Sequence, residues 1–254
     1  MLLRGLAQVD IYRDLFASAG ANMALAVALF REAGDKLGEG LAIAGLGTIH
    51  RVLGQHGPAL ARATEALELV AASGDRNTEA QLMCAIGAIH LAGDDLDAAA
   101  EWFGSALGLC RVLGDRHREA VVLREMADLL DPPGALAQLR GALEIFTAMD
   151  DDRCVAYTLV KAGEIDTDRA GAVPALERAA AIFHRNGSRL DEARCWELLA
   201  ELEARHGNAA AARRHLDQAR TLWRSVGAVG RVLPLPDPLT DADQSHHSND
   251  AFSL

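Results

Sequence analysis

The stretch from Ala80 to Gly114 reads AQLMCAIGAIHLAGDDLDAAAEWFGSALGLCRVLG, and it describes two amphipathic helices joined by a turn. Apolar residues return every three or four positions in each half, which is the spacing of one helix face. Gly93 interrupts the pattern where a left-handed C-cap is wanted, and Gly114 ends the second half in the same way. Between the halves, Asp94 and Asp95 supply carboxylates suited to a helix N-terminus. Ile86 stands beside Gly87 in the first half, and Ala99, Phe103 and Ala106 form a small-large-small triplet in the second. Helices approach closely only where such small residues face the partner, so these positions mark the contact between the halves.

Working outward, the pattern recurs. Gly34-Asp35, Gly74-Asp75 and Gly114-Asp115 lie 40 residues apart, with looser equivalents at Asp150-Asp151, Gly187-Ser188 and Gly227. Leu46-Gly47 precedes Ala59, Ala63 and Ala66 at the offsets of the Ile86 unit, and Leu199-Ala200 precedes Ala212, Leu216 and Ala219. The same step upstream finds Leu6-Ala7 with Ala19, Met23 and Ala26. Six units follow: 1–34, 35–74, 75–114, 115–151, 152–188 and 189–227. Helix A of the first begins almost at Met1, which favours a domain split from a longer chain or one with a packing partner just upstream.

Two middle units depart from the rule. Met126-Ala127 is followed by Leu139 and Ala142, and Ala162-Gly163 by Leu176 and Ala179, each a few residues early. Asp131-Pro132-Pro133-Gly134 ends one helix A, because proline cannot continue it. Pro174 is expected in the first turn of the next helix B, where a missing amide costs nothing. After Ser225 the pattern dissolves, and residues 228–254, with Pro234, Pro236, Pro238 and the pair His246-His247, read as a disordered tail that holds no metal.

Composition narrows the function. The chain has 254 residues, of which 36 are acidic and 25 basic, so the net charge of −11 repels nucleic-acid phosphates and anionic membranes. No run approaches the roughly 20 apolar residues of a membrane span, and the charged first residues exclude a signal peptide, which predicts a cytoplasmic protein. Only two of the basic residues, Lys36 and Lys161, are lysine, an arginine bias typical of GC-rich bacterial genomes. Cys84, Cys110, Cys154 and Cys195 show no metal-ligand spacing and read as reduced structural thiols. No phosphate loop, zinc motif or nucleophile elbow occurs. His50 and His90 fall on helix A where packing between hairpins explains them, so neither a catalytic group nor a cofactor is expected.

The large-small pair followed by the small-large-small triplet resembles the signature of the tetratricopeptide repeat family, across Leu2 to Gly227. The resemblance implies an all-α, right-handed superhelical solenoid of antiparallel helix hairpins that binds a protein or peptide along a groove lined by helix A. Leu113-Gly114-Asp115 and the 40-residue interval are similar to the C-terminal arrays of bacterial, antibiotic-pathway-type transcriptional regulators. That likeness implies a regulatory or sensor module, with self-association or an upstream effector domain as accompanying arrangements.

Carried over position by position, the groove residues are Gln81, Arg124, Asp128, Asp131, Tyr157, Glu164, Arg194, Glu197 and Glu201. Ala44, Thr48, Cys84 and Ala88 stand where a chaperone carboxylate clamp needs Lys and Asn, so that partner is excluded. A partner with apolar side chains toward the N-terminal units and basic ones toward Glu197 and Glu201 fits this lining. A second reading is a small-molecule or signalling-peptide sensor opened by the irregular Asp131–Gly134 region near Arg124 and Tyr157. An enzyme built on the scaffold is the third and weakest reading, because no polar constellation converges.

Overall fold

Asp35, Asp75, Asp115 and Asp151 each accept a hydrogen bond from the backbone N–H three residues on, at 2.8, 3.1, 2.9 and 2.9 Å. Each such cap satisfies an amide that the first helical turn leaves without a partner and contributes about 1 kcal/mol. In a computed structural model that describes residues 16–227, these caps open the first helix of successive hairpins. Eleven α-helices occur among the described residues: α1 (Phe16–Glu32), α2 (Lys36–Val52), α3 (His56–Ser73), α4 (Arg76–Ala92), α5 (Leu96–Leu113) and α6 (Arg116–Met126), then α7 (Pro132–Ala148), α8 (Asp152–Ile165), α9 (Arg169–Arg185), α10 (Arg189–Arg205) and α11 (Ala209–Ser225). No strand occurs among them. The fold is all-α, a helical-hairpin repeat. Helix A of the first unit, at Leu6-Ala7, and the tail at 228–254 lie outside the described residues.

Gly34, Gly54, Gly74, Gly114, Gly187 and Gly207 take φ between 70 and 78° or just below, as the left-handed turns require. Gly93 does not: its φ is −88°, and the next residue, Asp94, adopts the left-handed geometry at φ 63°. Asp150 does the same at φ 54°. Aspartate reaches this region more readily than most residues, and the carboxylates that cap are those of Asp95 and Asp151.

The described helices form two compact units, divided between Leu130 and Asp131. In the first, α1 to α6 pack in succession, each on the next. Its core holds Ile43, Val70, Ile86, Phe103 and Val122, and a Cβ at Gly87 would stand 2.8 Å from the Phe103 ring. In the second, α7 to α11 pack in the same way around Leu139, Phe146, Leu176, Leu199 and Leu202. A Cβ at Gly163 would meet Leu176 Cγ at 2.5 Å, so the glycine is what admits the leucine.

Clipping shortens helix A: α6 and α8 have 11 and 14 residues, against 17 in α2, α4 and α10. α6 tightens into a 3-10 turn at Ala127–Leu129, Leu130 is extended, and Asp131 caps α7 with Pro132 and Pro133 in its first turn. Buried Ala135 and Ala172 complete triplets with Leu139 and Ala142, and with Leu176 and Ala179. Pro174 lies further into its helix than its sequence position suggested, because α9 begins at Arg169 and places the ring in the second turn. There it removes a helical hydrogen bond, and the ring is exposed.

Candidate functional site

Once in each compact unit, the residue six before the small residue of one helix A meets the residue nine before that of the next. In the first unit Arg118 Nη1 of α6 donates to Gln81 Oε1 of α4 at 3.0 Å. In the second unit the Tyr157 hydroxyl of α8 donates to Asp191 Oδ2 of α10, also at 3.0 Å. A further tie joins Arg194 Nη2 of α10 to Glu164 Oε1 of α8 at 3.3 Å. Four of the nine carried-over residues, Gln81, Tyr157, Glu164 and Arg194, therefore lie on polar seams between neighbouring first helices.

The others are distributed differently. Glu201 is exposed one turn beyond Glu197 on α10. Arg124 is half-buried and paired with the adjacent Glu125 at 3.0 Å. Asp128 is exposed on the 3-10 turn, and Asp131 spends a carboxylate oxygen on the Gly134 amide at 3.2 Å as the α7 cap. Arg124 and Tyr157 belong to different units.

Glu197 is not a surface residue. It is 2% exposed, and Trp223 Nε1 donates to Oε1 while Arg194 Nη1 reaches Oε2 at 3.5 Å. The offset that places it on the groove marks a row that is half-buried or buried in the five repeats whose helix A is described, as Ala44, Cys84, Arg124 and Val160 also show. What makes a carboxylate tolerable there is the indole N–H, since a buried charge needs hydrogen-bonded partners.

Tyr157 has the most elaborated surroundings on the second unit's face. Phe183 meets its ring edge-on with centroids 5.1 Å apart, and the Arg153 guanidinium carbon lies 5.8 Å from the ring centroid. Burial, followed by the Asp191 charge, pushes the phenol above its ordinary range, so the hydroxyl stays a donor at neutral pH. Trp196 stacks on His215 at 5.5 Å between α10 and α11.

His50 and His90 lock hairpin turns. His50 Nδ1 lies 2.7 Å from Gln55 Oε1 and His90 Nδ1 lies 3.1 Å from Asp95 Oδ2, each joining the end of helix A to the cap of helix B. Cys84, Cys110, Cys154 and Cys195 stand outside any disulfide, and burial pushes Cys84 and Cys195 up to about 12, away from thiolate chemistry.

Asp191, Arg118 and Arg153 escape the helix A offsets used for the groove, although the −9 row that holds Arg118 and Asp191 is itself readable from the repeat. So is a second row. Glu39, Glu79 and Glu119, spaced by 40, and Glu192 are all buried at the fourth residue after the turn. Glu39 and Glu119 take Arg31 and Arg111 from the preceding helix at 2.8 and 3.0 Å, and Lys36 and Arg116 from their own first turn at 3.2 and 2.6 Å. These pairs hold consecutive hairpins together.

Among the described residues no helix is long and apolar enough to cross a membrane. No protein-family model matches the chain, and no curated protein matches it in sequence. Solved structures do match. BtubC (BKLC) from P. vanneervenii superposes with a TM-score of 0.68 at 20% identity over 85% of this chain and 93% of that one. A Rap protein complexed with competence and sporulation factor gives 0.64 at 16% identity over 89% and 73%. The signal-transduction ATPase with a tetratricopeptide repeat sensor from Pyrococcus horikoshii gives 0.61 at 15% identity over 88% of this chain but 37% of that one. At these identities the likeness establishes the fold, that of helical-repeat proteins of the tetratricopeptide type.

Proposed function

We propose that this chain is a protein- or peptide-binding scaffold that serves as the regulatory or sensor module of a bacterial regulator. The observation that carries this reading is the pair of ties Tyr157–Asp191 and Glu164–Arg194, which hold polar and aromatic side chains of α8 and α10 on one face while leaving them reachable. A surface held this way loses little freedom when a partner binds, which is what makes recognition efficient. The Rap protein whose fold this chain shares was solved with competence and sporulation factor, and the Pyrococcus horikoshii protein carries its repeats as a sensor. Both support a recognition or sensing role for such an array. Glu197 leaves the partner surface, and Glu164 with Glu201 remains as its acidic part.

A peptide array probed with the whole chain tests this. Peptides retained by the wild type are expected to lose at least tenfold in affinity on the Glu164→Arg, Glu201→Arg double variant. Retention that is unaltered by the reversal would reject the second unit's face as the site.

A further inference from the structure

Charges at the joints between hairpins follow a rule set by the residue that caps each first helix. A cation four residues before the cap meets a glutamate four residues after it: Arg31 with Glu39 at 2.8 Å, Arg111 with Glu119 at 3.0 Å and His184 with Glu192 at 3.1 Å. Where the earlier position is uncharged the pairing is absent. Ala71 leaves Glu79 to Arg76 of its own helix, and Thr147 is matched by Val155. The residues eight before and eight after the cap also meet, Val27 with Ile43 in one apolar cluster and Leu107 with Leu123 in another.

The last described helix, α11, keeps its half of this rule and changes the other residue. Arg224 stands where Arg31, Arg111 and His184 stand, while its counterpart in the sequence is Val232, outside the described residues. It is exposed and has no carboxylate partner among the described residues. One turn earlier, where α1 and α5 have Val27 and Leu107, α11 has Arg220, which reaches the exposed Asp217 at only 3.6 Å. α11 as a whole carries four arginines against one aspartate, a basic helix in a chain of net charge −11.

We propose that this face of α11 docks an acidic helix of a partner protein, one with carboxylates four and eight residues after its own N-cap. They would meet Arg224 and Arg220 in the register of the inner joints, and carboxylates one turn apart on a helix match arginines one turn apart on its neighbour. A second copy of this chain supplies no such helix from its joint row, because Glu39, Glu79, Glu119 and Glu192 are buried and already paired. The occupant is therefore a different protein of opposite charge.

The probe is a fluorescein-labelled helical peptide that opens with an aspartate cap and carries glutamate four and eight residues after it, on a background of alanine and leucine. Matched peptides carry glutamine or arginine at those two positions. Titrated against the full-length chain by anisotropy, the glutamate peptide is expected to bind in preference to both. Arg224→Gln should weaken it about threefold, and the Arg220→Glu, Arg224→Glu double variant about tenfold. The double variant should instead take up the arginine peptide, a charge swap that loss of fold would not produce. Glu164→Gln with Glu201→Gln should leave glutamate-peptide binding unchanged, which separates this face from the one proposed above.

Absence of a preference for the glutamate peptide would overturn the inference, and a face already covered by residues 228–254 would give that result. So would a preference that survives the double reversal. Wild-type dimers that dissociate on the double reversal, read by sedimentation, would assign the face to a second copy and overturn it as well. Failure of the peptide array at Glu164 and Glu201 rejects only the earlier reading, since the two faces use different residues.

Discussion

The Trp223 indole N–H and the Glu197 carboxylate form a hydrogen bond at 2.5 Å across the α10/α11 hairpin, inside the second unit. Trp223 belongs to the core cluster with Ala193 and Ala219, so the ring that fills the hairpin also supplies the donor that lets an acid be buried there. Replacing it with phenylalanine keeps most of the volume and removes the donor. A buried hydrogen bond to a charged acceptor contributes about 1.5–3 kcal/mol, and thermal unfolding of Trp223→Phe should show a loss of that size. Pairing it with Glu197→Gln in a double-mutant cycle should recover part of the loss, because the amide tolerates desolvation better than the carboxylate. Strictly additive losses would contradict the contact.

The left-handed residues Asp94 and Asp150 sit where the other turns use glycine. Asp94→Gly and Asp150→Gly are each expected to raise stability by up to about 1 kcal/mol, by releasing the steric cost of a Cβ at positive φ. Gly54→Ala and Gly207→Ala, at φ 70 and 74°, should each lower it by about 1–2 kcal/mol. Denaturant midpoints of the four variants check the sign of each change.

Gly163 and Leu176 are complementary in shape. Gly163→Ala places a methyl 2.5 Å from Leu176 Cγ and should cost about 1–3 kcal/mol by overpacking. Leu176→Val in the same chain opens room, so the double variant should lose less than the sum of the singles, read from chemical denaturation. A purely additive result would mean that the two residues do not compete for the same space.

Acid should loosen the joints between hairpins. Hydrogen bonds from Arg31 and then Lys36 hold the Glu39 carboxyl below its ordinary value of 4.5, and Arg169 does the same for Glu203. A carboxylate whose folded value is depressed stabilises the fold fully above its unfolded value and loses that contribution as pH falls through the folded one. Melting temperature should therefore be flat above about pH 5 and fall below about pH 4.5. Glu39→Gln and Glu203→Gln should lower the neutral-pH melting temperature and flatten the acid limb, as a pH series of melting curves would reveal.

The hairpins, their turns and their small-residue contacts were legible in the sequence because each depends on residues within a turn or two: an aspartate cap, a glycine at positive φ, or Ala99-Phe103-Ala106 on one helix face. The 40-residue repeat carried that local rule along the chain and also carried the Glu39, Glu79, Glu119 row. Where the rule rested on one residue's chemistry it slipped, as at Gly93, whose left-handed role passed to Asp94, and at Pro174, which lies a turn inside its helix.

Only the tertiary structure decided which side chains of a given row reach solvent. Glu197 and Glu201 are four residues apart on one helix, yet one is buried under Trp223, 26 residues away, and the other is exposed. Tyr157 reads as a groove aromatic in sequence, but its partners Asp191 and Phe183 come from α10 and α9. Sequence periodicity determines which way a helix face points, whereas the neighbour that covers it is chosen by packing between helices. The repeat thus specified the scaffold, and the contacts between first helices of neighbouring hairpins made the face on which the proposed recognition rests.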